Sequence, residues 1–194
     1  MRRTKRYFVR HAESMYNAGL TGDYDSVITE NGVRQATRTA QYLARSHSDQ
    51  KLVGYVSPYR RALETARVIR RHTGIDFTVT PAVREWPLEV PPELRKIGCH
   101  QAEYPEFAWP VVAAEYDWTD LSNDQYVHTL EYFVCNQMDA NALVVSHQTT
   151  IEQMVFMAAN VKELPSRRFY YIGNASVTLL ENGSPTLLGH QIEE

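Results

Sequence analysis

The chain has 194 residues, 43% of them hydrophobic, and a formal net charge of −3. That length supplies one full core and is short for two, so a single domain over residues 1–194 is expected. The acidic balance argues against a nucleic-acid-backbone binder, and no apolar run reaches the roughly 18 residues a membrane span requires. Cys99 and Cys135 are too few for a disulfide scaffold and too far apart for a metal knuckle. They read as free thiols in a reducing compartment. Arg2, Arg3, Lys5 and Arg6 imitate the basic start of a signal peptide, but only Tyr7-Phe8-Val9 follows before charge returns at Arg10. There is no room for a signal-peptide core, and the cytoplasm is the expected location.

Strand-like and helix-like patterns alternate along the chain. Tyr7-Phe8-Val9 predicts a strand over residues 5–10, followed by a loop rich in Gly, Asn and Asp to residue 26. Thr29 is the expected N-cap of a helix to residue 46, with Val33, Ala36, Ala40 and Leu43 on its buried face. Residues 52–57 predict a second strand, residues 58–74 a helix stopped by Gly74, and residues 77–79 a short third strand. Five prolines break the stretch from 84 to 137, which also holds Trp86, Trp109 and Trp118. It reads as a partly helical insertion over the sheet edge, ending in a helix over 124–137. Ala142-Leu143-Val144-Val145-Ser146 is the cleanest buried strand, and a helix through Ile151, Met154, Val155 and Ala158 follows. Strands are expected at 169–172 and 176–180, with a last edge at 187–188. Repeated strand–helix units predict an α/β fold: a three-layer α/β/α sandwich around a mainly parallel sheet.

In that architecture three pieces sit at carboxyl ends of strands, where open α/β sheets gather their functional side chains. The first is Arg10-His11-Ala12-Glu13-Ser14. Arginine binds phosphate through a planar fork of donors, and histidine is a covalent nucleophile in known catalysis. The second, Ser57-Pro58-Tyr59-Arg60-Arg61-Ala62-Leu63-Glu64-Thr65-Ala66, turns from strand into helix, where free N–H groups favour an anion. The third is Ser146-His147-Gln148-Thr149-Thr150. His11 or His147 alone would read as a structural histidine at a strand end. His47, His72, His100, His128 and His190 have no motif around them and read as surface or packing residues. His100 beside Cys99 lacks a second ligand pair, so no metal site is expected.

Together these pieces resemble the histidine phosphatase superfamily, also called phosphoglycerate mutase-like, over nearly the whole chain. Its signature is an Arg-His-Gly/Ala-Glu opening, a Ser-Pro-x-x-Arg-Ala-x-x-Thr-Ala segment and a late Ser-His. Asn17, the stretch Ile28-Thr29-Glu30-Asn31-Gly32-Val33-Arg34-Gln35-Ala36, and Val83-Arg84-Glu85 match further family positions. The resemblance implies that His11 becomes phosphohistidine and that Arg10, Arg61, Asn17 and His147 bind the phosphoryl group. Glu85 would protonate the leaving oxygen, and Arg60 would face solvent. Two departures stand out. Gln148 occupies a position where the family has Gly, which would weaken the site if the backbone there needs a Gly-favoured conformation. Trp86-Pro87-Leu88-Glu89 replaces the Gly-rich stretch after the acid, which leaves Glu89 as a competitor of Glu85.

The implied activity is a metal-independent phosphomonoesterase that needs no cofactor and acts on a small phosphorylated substrate or a phosphopeptide. One alternative is a cofactor-dependent phosphoglycerate mutase, which Thr21-Gly22 resembles in its substrate loop. Against it, only Arg95-Lys96 supply cations where a mutase holds the second charged group of a bisphosphate. The other alternative is a catalytically weakened phospho-ligand or protein-binding member, disfavoured because the core set is intact. The sequence leaves the oligomeric state open.

Overall fold

The structure, a computed structural model, describes residues 4–47, 51–85, 97–110, 122–159 and 171–193. Six strands form one sheet in the order β3-β2-β4-β1-β5-β6. These are β1 (Lys5–Arg10), β2 (Val53–Val56), β3 (Phe77–Val79), β4 (Ala142–Ser146), β5 (Val177–Glu181) and β6 (Ser184–His190). The first four pair in parallel, while β5 runs antiparallel to both β1 and β6.

Alternation along the central strands divides the core into two layers. Tyr7 and Val9 of β1, with Leu143 and Val145 of β4, pack against α1 (Glu30–Ser46) and α2 (Arg60–Thr73). Phe8, Ala142 and Val144 point to the other face, against α3 (Asn123–Tyr132) and α4 (Gln148–Ala158). Every residue of β4 is buried, as a continuous apolar run between two helical layers requires. The expected sandwich with a mainly parallel sheet is therefore the observed fold.

Thr29 caps α1, its hydroxyl accepting from the Gly32 amide at 2.9 Å. The buried face of α1 is Gly32, Ala36, Thr39, Ala40 and Leu43, and the expected Val33 is 44% exposed. The helix is rotated by one position because Gly32 must lie against the loop after β1. A β-carbon at Gly32 would collide with the Glu13 carbonyl oxygen. Gly32→Ala is expected to destabilise the fold by about 1–3 kcal/mol through this overpacking. An unchanged urea midpoint would show that the loop yields instead.

Gly74 terminates α2 with φ of 70°, its amide donating to the Arg70 carbonyl. The helix begins at Arg60, with Tyr59 as its N-cap, two residues later than the expected start at 58. Within the 84–137 insertion, Ala108 bridges the free edge of β3, so this part does border the sheet. The expected helix over 124–137 is α3 followed by a π turn at Phe133–Gln137. Trp86, Glu89, Arg95-Lys96 and Trp118 lie outside the described residues, as do residues 169 and 170 of the expected 169–172 strand. Tyr171 and Ile172 are not in a strand. Asn182 and Gly183, both with positive φ, turn β5 into β6, which is longer than the edge expected at 187–188. No helix among the described residues is long and apolar enough to cross a membrane.

Candidate active site

The strand order β2-β4-β1 sets Ser57, His147 and His11 side by side at one edge of the sheet. Arg10 is in register with Ser146, and the His11 amide donates to the Ser146 carbonyl at 2.8 Å. The helices that follow β1 and β4 in the chain, α1 and α4, pack on opposite faces, which opens a crevice at these strand ends. The loop after β1 is pinned from two directions. Thr65 of α2 accepts from the Ala12 amide at 2.9 Å. The Ala175 amide donates to the carbonyls of both Arg10 and His11, from a left-handed backbone (φ 55°) that costs a non-glycine residue about 1–2 kcal/mol.

His11 is 2% exposed, and its ring centroid lies 5.1 Å from that of His147. Its Nδ1 is 2.8 Å from the Ala12 carbonyl oxygen, while its Nε2 faces the Nε–H of Arg61 at 3.2 Å. A carbonyl can only accept and a guanidinium can only donate, so the proton belongs on Nδ1 and the lone pair on Nε2. Burial, and then the charges of Arg61, His147 and Arg10, hold this imidazole well below its ordinary pKa. It is neutral at pH 7, with a nucleophilic nitrogen turned towards a cation.

Arg61 is 3% exposed; its Nη1 donates to the Tyr24 carbonyl at 2.8 Å and its Nη2 to the Tyr24 hydroxyl at 2.9 Å. Arg60, its neighbour, turns outward to Glu103 at 2.7 Å. Arg10 donates from Nη1 to the Ile172 carbonyl at 2.6 Å and to the Gln148 side chain at 3.2 Å. Gln148 opens α4 without a positive φ, so its position needs no glycine, and its side chain instead fastens Arg10. The Asn17 side-chain oxygen accepts from the Ser14 amide and hydroxyl and from Asn174, which turns its NH2 end into the available donor.

Glu85 follows a tightly held segment. The Val83 carbonyl accepts from Ser146, and the Arg84 carbonyl from both Tyr126 and Thr150. The Glu85 Oε2 atom stands 3.1 Å from His147 Nδ1 and 3.5 Å from Arg61 Nη2. Burial alone would raise the pKa of this carboxyl, but His147, Arg61 and Arg10 outweigh it, so Glu85 is ionised. Burial pushes His147 below its ordinary value against the pull of Glu85, and its Nε2 is 2.7 Å from the Ser57 hydroxyl.

The structure thus brings His11, Arg61, Glu85 and His147 together and sets Arg10 and Asn17 beside them. Sequence reasoning missed Tyr24 and Asn174, whose signals are only those of loop residues. His100, which reads from the sequence as a surface or packing residue, is buried and bonded at 2.5 Å to Asp25. His11, Glu85 and His147 offer ligand atoms within 4.8 Å of one another, a geometry that suits a metal. Yet Arg61 lies within 3.5 Å of two of the three, and its permanent charge repels a divalent cation and attracts an anion. A neutral imidazole nitrogen, two guanidinium groups and a carboxylate can receive and transfer a phosphoryl group.

Comparison with known proteins agrees. The sequence model of the histidine phosphatase superfamily (branch 1) matches residues 6–186. A probable phosphoglycerate mutase GpmB of Yersinia pestis is 35% identical over 81 residues, which is 41% of this chain and 36% of that protein. The match therefore spans about a third of the length of that relative. The mycobacterial glucosyl-3-phosphoglycerate phosphatase Rv2419c, solved with VO3, superposes with a TM-score of 0.57 at 21% identity, over 91% of this chain and 90% of that one. Phosphoserine phosphatase of Entamoeba histolytica, solved with 3-phosphoglyceric acid, gives 0.57 at 20% identity, over 91% and 89%. These likenesses show the fold, and the match over residues 6–186 places the chain in the histidine phosphatase superfamily.

Proposed function

We propose that the chain is a phosphomonoester hydrolase that works through phosphohistidine on Nε2 of His11 and requires no metal. The observation that carries this reading is the placing of His11, its Nδ1 against the Ala12 carbonyl and its Nε2 against Arg61, with Arg10, Glu85 and His147 around it. In the first step Nε2 attacks phosphorus, the bond to the leaving oxygen breaks, and Glu85 gives that oxygen a proton. In the second, water attacks phosphorus, returns a proton to Glu85, and the N–P bond breaks to release phosphate. Arg10, Arg61, the Asn17 amide and His147 hold the equatorial oxygens throughout, where charge develops.

Glu85 is ionised in the free site, so it must take up a proton from solvent as the substrate binds. A phosphate dianion engages Arg61 and Arg10 and places its own charge beside the carboxylate. Both effects raise the affinity of Glu85 for a proton. The named activities of the mycobacterial and Entamoeba phosphatases support a small phosphorylated substrate. The name of the Yersinia relative supports the mutase alternative, in which a phosphorylated acceptor replaces water in the second step. The reading also takes the chain as one domain and places it in the cytoplasm, consistent with Cys99 and Cys135 both being free.

Hydrolysis of phenyl phosphate is the test. Turnover is expected without added metal and unchanged by excess chelator. Activity lost in chelator and restored by a divalent ion would overturn the mechanism. Release of phenol only in the presence of a phosphorylated acceptor, with the phosphoryl group appearing on that acceptor and not as free phosphate, would favour the mutase. The two adjacent arginines provide a second check. Arg61→Ala is expected to weaken vanadate inhibition by about 100-fold or more, the scale of losing one charge-stabilising donor, and Arg60→Ala by less than about threefold. Equal effects would show that the helix presents the wrong side chain to phosphate.

A further inference from the structure

We propose that His100 is a positioning residue of this site: it fastens the Asp25–Tyr24 loop to the start of α2, and Tyr24 in turn aims the guanidinium of Arg61 at His11. The kinetic part of this proposal rests on the phosphatase reading; the geometric part does not.

Asp25 and His100 are 3% and 6% exposed, and His100 Nε2 meets Asp25 Oδ2 at 2.5 Å. The other ring nitrogen of His100 is 3.3 Å from Glu103, which also holds Arg60. Both partners of the ring are carboxylates, so both nitrogens donate and the ring is the imidazolium. Its pKa is about 10, because its hydrogen bonds and neighbouring charges outweigh a burial that alone would lower it. The second oxygen of Asp25 accepts the Arg60 amide at 2.8 Å, placing the carboxylate at the positive end of α2. The Asp25 amide donates to Asp23 at 3.0 Å. Tyr24, between these two aspartates, is thus held on both sides.

Tyr24 gives Arg61 three contacts: its carbonyl, its hydroxyl, and its ring face 4.5 Å from the guanidinium carbon. With Nη1 and Nη2 turned to Tyr24, the Nε–H is the donor that faces His11. Released from Tyr24, the same planar fork fits a carboxylate better than an imidazole, and Glu85 is already 3.5 Å away. Arg61 would then close on Glu85, withdrawing a cation from the phosphate and a proton donor from the leaving oxygen. The Asp25–His100 pair prevents that collapse from outside the reacting set.

The experiment uses the full chain with His100→Leu and Asp25→Asn, each alone and combined with Arg61→Ala. Vanadate is the probe of the anion site, and NMR titration of His11 is a readout independent of activity. In otherwise wild-type protein, His100→Leu is expected to weaken vanadate binding by roughly tenfold to 100-fold, the scale of a small misplacement of a positioning group. With Arg61→Ala already present it is expected to have no further effect, the coupling expected of residues acting in one chain. The His11 titration is expected to move up towards its ordinary value as the Arg61 charge leaves Nε2. Asp25→Asn keeps the shape and removes the charge, so it is expected to change each readout in the same direction by less, and it serves if His100→Leu does not fold. Unchanged vanadate affinity and an unchanged His11 titration in either folded variant would overturn the proposal. So would equal losses with and without Arg61. If wild type neither hydrolyses phenyl phosphate nor binds vanadate while the His11 titration still shifts, the phosphatase reading fails and the positioning role stands.

Discussion

Replacing His11 with alanine is expected to lower turnover of an aryl phosphate by roughly four orders of magnitude or more, because the covalent route disappears with its nucleophile. The fold is expected to survive. His11 makes one side-chain bond to its neighbour's carbonyl and one to Arg61, while the loop around it is held by Thr65, Ala175 and the Ser146 carbonyl through backbone groups that the substitution keeps. Vanadate affinity is expected to fall much less than turnover, since Arg10, Arg61 and His147 remain. Rapid quenching of wild type during turnover is expected to trap an acid-labile, base-stable phosphoenzyme that the variant lacks. A variant with near-normal turnover would exclude His11 as the nucleophile. His147→Ala retaining none of the phosphoenzyme while His11→Ala retains all of it would transfer the role to the neighbouring ring.

What the sequence made legible follows from where each signal resides. Apolar runs at Tyr7-Phe8-Val9, Leu52-Val53-Gly54-Tyr55-Val56 and Ala142-Leu143-Val144-Val145-Ser146 mark parallel strands by composition, and the strand–helix alternation then puts His11, Ser57 and His147 at their carboxyl ends. Strand order brought those three together, which no local pattern encodes. The phase of α1 was misjudged at Val33 because hydrophobicity alone cannot see that Gly32 must touch the Glu13 carbonyl. The Asn182-Gly183 dipeptide is a strong hairpin signal and accounts for β6 better than Leu187-Leu188 does. Tyr24, Asp25 and Asn174 sit in loops whose backbone paths depend on contacts made tens of residues away. His100 looked ordinary for the same reason, since its partner Asp25 lies 75 positions earlier.

The last expectation concerns the proton donor. Glu85→Gln is expected to slow alkyl phosphates by about 100-fold or more, the scale of general acid catalysis, and scarcely to affect activated aryl phosphates. The reason lies in the leaving oxygen: an alkoxide must be protonated as it departs, whereas a nitrophenolate departs as an anion. The amide keeps the size of the carboxyl, so the contacts to His147 Nδ1 and Arg61 Nη2 change in charge more than in geometry. Losing that negative charge removes the partner that pulls the His147 pKa upward, so His147 is expected to become harder to protonate. Phosphate binding is then expected to hold or strengthen, because a carboxylate that repels the incoming dianion has gone. The two effects separate the roles of Glu85: a leaving-group-dependent fall in kcat with unchanged or lower KM identifies the acid. A uniform loss across alkyl and aryl substrates would identify a residue that only orients His147 and Arg61. Glu89→Gln showing the selective loss in its place would move the proton donor to Glu89.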